Sequence, residues 1–236
     1  KNTRSIRSKN TLESLRNLAS YARQRSKAKI VAITGSCGKT SLKNLLNSSL
    51  SKIGKTHCSP KSFNNHFGVP YSLANLSSDN KYGIFELGMS SKGEIDNLVN
   101  LVKPNIAIIT NIGPAHLENF NNIKGICKAK AEIMNGISQN GVIILNKDDK
   151  FFNYLNEKAK SRNIKVIIFG KSKKADVHPT RTKQYGEVKK IIIRVKDVIL
   201  ELRIKNINIY NVLASLAVLK ELDLNIQKNK SIYAFL

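Results

Sequence analysis

The fold of this chain is decided by the stretch Lys29-Ile-Val-Ala-Ile-Thr-Gly-Ser-Cys-Gly-Lys-Thr-Ser41, which joins an apolar strand to a helix through a glycine turn. Glycines let backbone amides turn towards an anion, and the helix that follows presents its positive end there. The lysine supplies a cation for the β- and γ-phosphates, and the next hydroxyl can ligate Mg²⁺. The sequence therefore predicts a site for ATP or GTP.

The loop departs in one respect from the commonest phosphate-loop pattern. That pattern has a glycine five residues before Gly38, where this chain has Ile33. The strand-loop-helix order still favours a phosphate site over a ligand-free glycine turn. We interpret Cys37 as a tolerated small residue rather than a nucleophile. The residues predicted to hold the nucleotide here are Thr34, Gly35, Ser36, Cys37, Gly38, Lys39, Thr40 and Ser41.

Composition bounds the class of protein. The chain has 236 residues, of which 41% are hydrophobic, enough for one large α/β domain or two small ones. Its formal net charge of +24 raises the alternative of a basic module that binds nucleic acid. We disfavour a nucleic-acid partner because the charge is mostly lysine, is spread along the chain and is not interleaved with aromatic residues.

The expected cellular location depends on whether the sequence shows a membrane span, a signal peptide or paired cysteines. No apolar run reaches the roughly 18 residues of a membrane span, and the polar, basic start does not resemble a signal peptide. Cys37, Cys58 and Cys127 lack metal-type spacing, which favours free thiols in a reducing compartment. We expect a cytoplasmic protein and, because the chain does not begin with Met, a piece of a longer one.

Short apolar runs alternate with amphipathic segments between residues 29 and 170, as in a parallel sheet with helices on both faces. The predicted strands are 30–34, 82–87, 106–110, 142–146 and 166–170. The predicted helices are 10–25, 39–53, 93–102, 123–136 and 150–162. Residues 188–195 and 198–204 then predict a small antiparallel hairpin near the C-terminal end, followed by a helix over 208–222. The fold class is therefore α/β, with a mostly parallel sheet of the P-loop type.

Two polar residues lie at the end of predicted strands or just after them, at the edge where ligands of parallel sheets bind. Glu86 ends the run that begins at Tyr82, and His116 lies in a Gly-Pro loop after strand 106–110. A buried carboxylate is costly unless it is compensated, and a metal ion beside the phosphates would compensate it. We favour metal binding for Glu86 over a helix cap or a surface group, and we take His116 as a candidate metal ligand.

Other candidates are left open by the residues alone. Asn64 and Asn65 lie in a polar stretch over 59–70, where paired amides fit ligand binding and turn formation equally well. Lys130 is one of several lysines on a predicted helix, and nothing in its spacing distinguishes it from Lys128.

These segments together resemble the central ATPase domain of the Mur ligases, which use ATP to form amide bonds in peptidoglycan precursor synthesis. The resemblance extends from about residue 10 to residue 222. Within the family it is strongest to the branch that joins D-alanyl-D-alanine to UDP-MurNAc-tripeptide, as indicated by Ala115 before His116 and by the Glu-Leu-Gly-x-x-x-x-Gly-Glu-Ile pattern from Glu86. The segments that carry it are, in order, Thr34-Gly-Ser-Cys-Gly-Lys-Thr-Ser41, Phe63-Asn-Asn-His-Phe-Gly-Val-Pro70, Glu86-Leu-Gly-Met-Ser-Ser-Lys-Gly-Glu-Ile95, Thr110-Asn-Ile-Gly-Pro-Ala-His-Leu-Glu-Asn-Phe120, Ala129-Lys-Ala-Glu-Ile133, Asn146-Lys-Asp-Asp149 and Asn208-Ile-Tyr-Asn-Val-Leu-Ala-Ser215.

The resemblance implies catalytic and metal-binding roles. Lys39, His116 and Lys130 would be the catalytic residues. Mg²⁺ would be held by Thr40, Glu86, His116 and Lys130. Lys130 matches a lysine that many Mur ligases carry as a carbamate, whose negative charge can support a second Mg²⁺.

The resemblance also implies contacts with the substrates. Asn64, Asn65 and Ser90 would approach the UDP-MurNAc-peptide, and Asn208 and Asn211 would lie on the adenine side of the nucleotide. A sister Mur ligase or a ligase like folylpolyglutamate synthetase would share the ATP chemistry with a different acceptor. A basic P-loop module for nucleic acid is the alternative of another class.

The family has three domains, which sets the expected organisation. Residues 1–28 would be a linker helix from an N-terminal domain that binds the UDP moiety. Residues 29–222 would be the central ATP-binding domain, and residues 223–236 a connector to a C-terminal domain that brings the amine substrate. The two flanking domains are expected outside this chain, so we expect this fragment alone to fold and to bind nucleotide weakly without ligating.

Overall fold

The structure, a computed structural model, describes residues 7–115 and 117–227. Its strands are β1 (Lys29–Thr34), β2 (Thr56–Cys58), β3 (Tyr82–Glu86), β4 (Ile106–Ile109), β5 (Val142–Asn146), β6 (Lys165–Phe169), β7 (Val177–Tyr185), β8 (Val188–Val195) and β9 (Val198–Lys205). Its α-helices are α1 (Thr11–Arg25), α2 (Lys39–Leu50), α3 (Gly68–Ala74), α4 (Glu94–Val102), α5 (Ile123–Lys130), α6 (Phe152–Lys160) and α7 (Ile209–Glu221). Short 3-10 helices span Leu117–Asn119 and Ala131–Gly136.

The strands form one sheet in the order β2-β3-β1-β4-β5-β6-β7-β8-β9, and the part from β2 to β6 is parallel. Ile33 of β1 lies beside Glu86 of β3, and Thr34 lies beside Ile109 of β4. Because the chain places β3 on one side of β1 and β4 on the other, β1 occupies the point where the strand order reverses. Ligands of such sheets bind beyond the carboxyl ends of the strands at that point.

Helices cover both faces of the parallel part. α2 and α7 pack on the face that contains Val31 and Ile33 of β1, and the other five α-helices pack on the face that contains Ile30 and Ala32. All four of these strand residues are fully buried. Successive residues therefore enter two different apolar layers, which explains why the parallel strands are continuous apolar runs.

The antiparallel part, β7 to β9, extends the same sheet. The predicted hairpin is confirmed as β8 and β9. Ile191, Ile193 and Leu200 face the core beneath α7, and alternate residues such as Arg194 are exposed. The structure adds β7, which pairs with β8 in antiparallel and with β6 in parallel orientation. The sequence did not predict β7 because Val177–Tyr185 is mostly polar and contains a proline.

The predicted elements of the parallel part are confirmed, with two corrections. Residues 123–136 are not one α-helix, because α5 ends at Lys130 and the chain continues as a 3-10 helix. The loop predicted over 59–70 is wrong for its last three residues, which open α3. That helix begins there because Asn65 Oδ1 accepts hydrogen bonds from the amides of Phe67 (3.2 Å) and Gly68 (2.8 Å). Pro70 is tolerated in the first turn, where its missing amide has no helical partner.

α1, predicted as a linker helix, is packed against the domain. Asn10 begins it by accepting hydrogen bonds from the amides of Leu12 and Glu13, both at 3.1 Å. Arg23 donates from Nε to the carbonyl of Val102 at 2.8 Å. Of the helices in the described ranges, α1 included, none has both the length and the apolar character that crossing a membrane requires.

Candidate active site

The phosphate loop between β1 and α2 depends on two glycines with positive φ. Gly35 has a φ of +150° and Gly38 a φ of +81°. A Cβ on Gly35 would lie 1.9 Å from the hydroxyl oxygen of Thr110, so a larger residue does not fit without rearrangement. Gly38 precedes the first turn of α2, whose amides have no helical carbonyl to bind and carry a partial positive charge. The predicted strand-turn-helix arrangement is confirmed, and its geometry suits an anion.

The loop after β4 braces the phosphate loop from the side. Ser36 Oγ donates to the carbonyl of Gly113 (3.0 Å) and accepts from its amide (2.8 Å). The Cys37 amide donates to Asn111 Oδ1 at 2.9 Å, and the Cys37 carbonyl accepts from Thr110 Oγ1 at 2.7 Å. Since the backbone of Cys37 is engaged on both sides, the amides that open α2 are the ones best placed for a phosphate.

Two lysines meet at one carbonyl of the phosphate loop. The Nζ atoms of Lys39 and Lys130 donate to the oxygen of Gly35 at 2.8 Å and 3.1 Å. Lys130 is only 2% exposed. Burial, and secondly the charge of Lys39, lower the pKa of Lys130 to about 8, with a smaller opposing effect of Cys37. The described residues give Lys130 no carboxylate partner, so the site holds more positive than negative charge around this carbonyl.

Glu86, at the end of β3, is the carboxylate of the site. Its side chain is almost fully buried. Oε2 accepts a hydrogen bond from Thr40 Oγ1 at 2.9 Å, and Oε1 accepts one from Asn64 Nδ2 at 2.8 Å. The structure thus brings together three of the predicted site residues, which come from α2, from β3 and from the loop before α3.

The oxygens of Thr40 and Glu86 fit Mg²⁺. Two neighbouring ligands of an octahedral ion bound at about 2.1 Å lie roughly 2.9–3.0 Å apart, and these two oxygens are 2.9 Å apart. Within residues 7–115 and 117–227, no group of three or more His, Cys, Asp or Glu side chains could hold a metal ion. The protein would therefore supply few ligands, and phosphate oxygens and water would supply the rest, as Mg²⁺ commonly requires.

A buried cation that the sequence did not predict lies beside Glu86. Lys43 is 1% exposed, and its Nζ is 3.8 Å from Glu86 Oε2. It occupies α2 one turn after Lys39, on the face that also buries Leu46 and Leu50. Its spacing from these leucines, three and seven residues, is the signal that could have identified it, because a lysine within an apolar helical stripe needs a partner.

Two cavities adjoin the phosphate loop on the side of α7 and meet at Asn208 and Asn211. Asn211 faces Gly38, since a Cβ on that glycine would lie 3.0 Å from Asn211 Oδ1. Asn208 begins α7 by accepting a hydrogen bond from the Tyr210 amide at 2.9 Å. Ser41 lines the cavity of about 410 Å³ between α2 and α7. The other cavity, of about 250 Å³, is lined by Cys37, Gly38, Thr110, Asn111, Asn146, Asp148, Asp149, Phe169, Asn208, Tyr210 and Asn211.

The residues predicted to approach the substrate differ in what they contact. Asn64 touches Glu86 and also accepts the Gly88 amide through its own carbonyl at 2.8 Å. Asn65 caps α3, which is the turn-forming alternative left open by the sequence. Ser90 is exposed, and its amide donates to Glu94 Oε2 at 3.0 Å.

The remaining predicted site residues are His116 and Thr34. His116 lies outside the described residues. Thr34 is fully buried, and its hydroxyl has no hydrogen-bond partner within the described part of the chain. Its carbonyl accepts the Thr110 amide at 3.0 Å, so Thr34 supports the loop from beneath.

Asp149 is a further residue to which the sequence assigned no role. Its Oδ2 accepts the Ile112 amide at 2.6 Å, and its Oδ1 accepts the Phe151 amide at 2.8 Å. It therefore ties the loop after β4 to the start of α6, behind the brace of the phosphate loop. The signal was its place in a polar turn directly after an apolar strand.

Comparisons with known proteins identify the family. The family model of the Mur ligase middle domain matches residues 33–219. The UDP-N-acetylmuramoyl-tripeptide–D-alanyl-D-alanine ligase of Rickettsia prowazekii is 42% identical over 179 residues, which cover 75% of this chain and 40% of that protein. The chain thus spans less than half the length of this curated relative.

Solved structures agree. MurF from Acinetobacter baumannii superposes with a TM-score of 0.88 at 31% identity, over 98% of this chain and 52% of that one. MurF from Thermotoga maritima in complex with ADP superposes with a TM-score of 0.81 over 94% of this chain and 53% of that one, and at 23% identity it shows the fold alone. On these grounds the chain belongs to the Mur ligase family.

Proposed function

We propose that this chain is the ATP-binding part of a ligase that joins D-alanyl-D-alanine to UDP-MurNAc-tripeptide. The observation that carries the proposal is the convergence, at one sheet edge, of Lys39 and Lys130 on the Gly35 carbonyl and of Thr40 on Glu86. Such a site suits a triphosphate and a divalent cation. The names of the relatives supply the acceptor, and the ADP in the Thermotoga maritima protein supports the nucleotide.

The proposed reaction activates a carboxylate before an amine attacks it. The γ-phosphoryl group of ATP passes to the substrate carboxylate and gives an acyl phosphate. The amine of D-alanyl-D-alanine attacks the acyl carbon, loses a proton and displaces phosphate. Lys39 stabilises the charge on the transferring phosphoryl group. Thr40 and Glu86 would hold Mg²⁺, which when bound would add to that stabilisation and orient the phosphates.

Carbamylation of Lys130 is part of the proposal. Because its pKa is lowered to about 8, Lys130 is neutral in a larger share of the molecules near neutral pH than an ordinary lysine is. The neutral amine is the form that adds to CO₂, giving a carbamate and a proton. A carbamate on Lys130 would replace the repulsion between two cations at Gly35 by an attraction to Lys39.

The remaining site residues are assigned by the same proposal. Asn64 and Ser90 would contact the muramoyl-peptide, and Asn65 would act by holding the loop that carries Asn64. Asn208 and Asn211 would lie on the adenine side, next to the two cavities. His116 would be a further metal ligand.

The organisation of the whole protein is also proposed. Residues 29–222 would be the central domain, between a UDP-binding domain before residue 1 and an amine-binding domain after residue 236. This fragment alone would then bind nucleotide but would not ligate, and the protein would act in the cytoplasm. A sister acceptor or a nucleic-acid module is not part of the proposal, because the curated relative is named for D-alanyl-D-alanine and the matching family model is a ligase domain.

ADP release tests the proposal. The protein as its gene encodes it would be given ATP and Mg²⁺ with UDP-MurNAc-tripeptide and D-alanyl-D-alanine, separately and together. We expect sustained ADP release only when both are present, in proportion to the amide formed. ADP release that ignores both substrates, or none from folded protein that binds ATP, would overturn the proposed acceptor.

A further inference from the structure

Lys43 is the most deeply buried lysine described, and its charge is not used by the proposed chemistry. The side chains of Lys43 and Glu86 are exposed by only 1% and 2%. Burying an ammonium group is unfavourable unless hydrogen bonds and an opposite charge compensate it. The contacts of Lys43 therefore indicate its structural role.

The contacts of Lys43 lie on a single loop and a single carboxylate. Its Nζ donates to the carbonyl of Ser59 at 2.9 Å and to the carbonyl of Lys61. The third neighbour is Glu86 Oε2 at 3.8 Å. Lys61 has a φ of +46°, a left-handed backbone that is unfavourable for a lysine and needs support from its surroundings. The Lys43 ammonium thus holds the turn over 59–61 in place.

The tethered loop is the one that carries Asn64. Asn64 lies only three positions after Lys61, and its Nδ2 donates to the other oxygen of Glu86. Glu86 is therefore held from the loop side by Asn64 and from the helix side by Thr40 and Lys43. A change in the loop would alter the position of Glu86, and a substitution of Lys43 would alter the position of the loop.

We propose that Lys43 is a positioning residue that fixes the Asn64 loop against Glu86, so that the muramoyl-peptide side of the site is set by the nucleotide-binding helix. The inference rests on the proposed function for the identity of the substrate. The described contacts of the Lys43 ammonium are with the carbonyls of Ser59 and Lys61 and with Glu86. The Lys43 ammonium thus joins the loop and the carboxylate through one cation.

The test compares Lys43→Met and Lys43→Arg with Ser49→Ala in the protein as its gene encodes it. Ser49 is an equally buried polar residue on α2 whose hydroxyl donates only to the Leu45 carbonyl of its own helix, at 3.0 Å. The first readout is hydrogen exchange of the peptide over 59–68 without ligands. We expect Lys43→Met to exchange at least tenfold faster there, Lys43→Arg to recover most of the protection, and Ser49→Ala to match the wild type.

The second readout is a comparison of Michaelis constants. We expect Lys43→Met to raise KM for UDP-MurNAc-tripeptide at least tenfold and to change KM for D-alanyl-D-alanine less than twofold, because the amine is brought by another domain. Equal changes in both constants, or unchanged exchange over 59–68, would overturn the inference.

If Lys43→Met does not fold, hydrogen exchange of the folded Lys43→Arg variant decides the question. Faster exchange over 59–68 in that variant, which retains the charge, would contradict the tether. A wild type without substrate-dependent ADP release would refute the proposed function, while the exchange readout would still decide on Lys43.

Discussion

The parallel part of the sheet buries charged side chains, whereas the antiparallel part exposes them. In the parallel part, Lys43, Glu86 and Lys130 are each at most 2% exposed. In the antiparallel part the charges are at the surface, where Lys190 pairs with Glu201 at 2.9 Å and Lys205 pairs with Glu187 at 2.6 Å. Exposed ion pairs add little to stability. Burying charged side chains costs desolvation free energy, and a functional site is a reason to retain them. The difference locates function at the parallel edge.

The largest contrast is expected between Gly35 and Gly186, both of which have positive φ. Gly35→Ala would drive a methyl group into Thr110, whereas a Cβ on Gly186 would meet nothing within 4 Å. We expect Gly35→Ala to lower the free energy of unfolding by about 3 kcal/mol and Gly186→Ala by about 1 kcal/mol. Nucleotide affinity, measured by calorimetry, should fall more than about 100-fold only for Gly35→Ala. Equal effects of the two variants would contradict the geometry of the phosphate loop.

Glu86→Gln and Glu201→Gln compare a buried with an exposed carboxylate. Glu86→Gln removes the charge that faces Lys43 and a proposed metal ligand, so we expect at least a 100-fold loss of ligase activity. We also expect the free energy of unfolding to fall by about 1–3 kcal/mol, since a buried cation loses its counter-charge. Glu201→Gln should change both quantities little, by less than about 1 kcal/mol in stability. Full activity of Glu86→Gln in low Mg²⁺ would remove Glu86 from the metal site.

The lowered pKa of Lys130 predicts a pH dependence of the free energy of unfolding to which the exposed lysines do not contribute. Its folded-state pKa, about 8, lies below the ordinary value of 10.5 because of burial and the charge of Lys39. Between these two values the unfolded state binds more protons, so this group makes the free energy of unfolding rise with pH. We expect that rise in wild type in CO₂-free buffer, and its loss in Lys130→Met but not in Lys190→Met. Identical pH profiles of all three proteins would contradict the lowered pKa of Lys130.

The carbamate predicts a smaller, reversible effect on rate. Activity should fall severalfold when CO₂ is stripped from the buffer and return when bicarbonate is restored, with a larger gain at pH 8 than at pH 7. The Lys130→Met variant should not respond. A wild-type rate indifferent to bicarbonate would leave Lys130 as a cation at Gly35 and remove the carbamate from the proposal.

The smallest effect is expected at Cys37, whose backbone rather than side chain is engaged by Thr110 and Asn111. Cys37→Ser keeps the size of the side chain and all of these backbone bonds. We expect its nucleotide affinity and ligase rate to stay within twofold of the wild type. A loss above tenfold would show that the thiol itself acts in the site.

The two parts of the sheet also differ in how far the sequence predicted them. The parallel strands were predicted because burial on both faces leaves continuous apolar runs. β2 was missed because an edge strand of three residues leaves no pattern, and β7 because pairing with β8 rather than its own residues makes it a strand. The start of α3 was missed because the Asn65 cap is formed by side-chain geometry.

The site was predicted in its residue types but not in its burial. Glu86 and the phosphate loop follow from strand ends and glycines. Lys130 is 2% exposed while Lys128 is exposed, a difference set by the facing helix and loop rather than by spacing. Lys43 was missed although its spacing from Leu46 and Leu50 carried a signal, because lysine as a residue type indicates a surface.

The most direct test of the central claim is a crystal structure of this chain with Mg²⁺ and a non-hydrolysable ATP analogue. We predict the phosphates on the first amides of α2 and on Lys39, the metal on Thr40 and Glu86, and the base in a cavity next to Asn208 and Asn211. A nucleotide bound elsewhere, or a metal held without Glu86, would contradict the account.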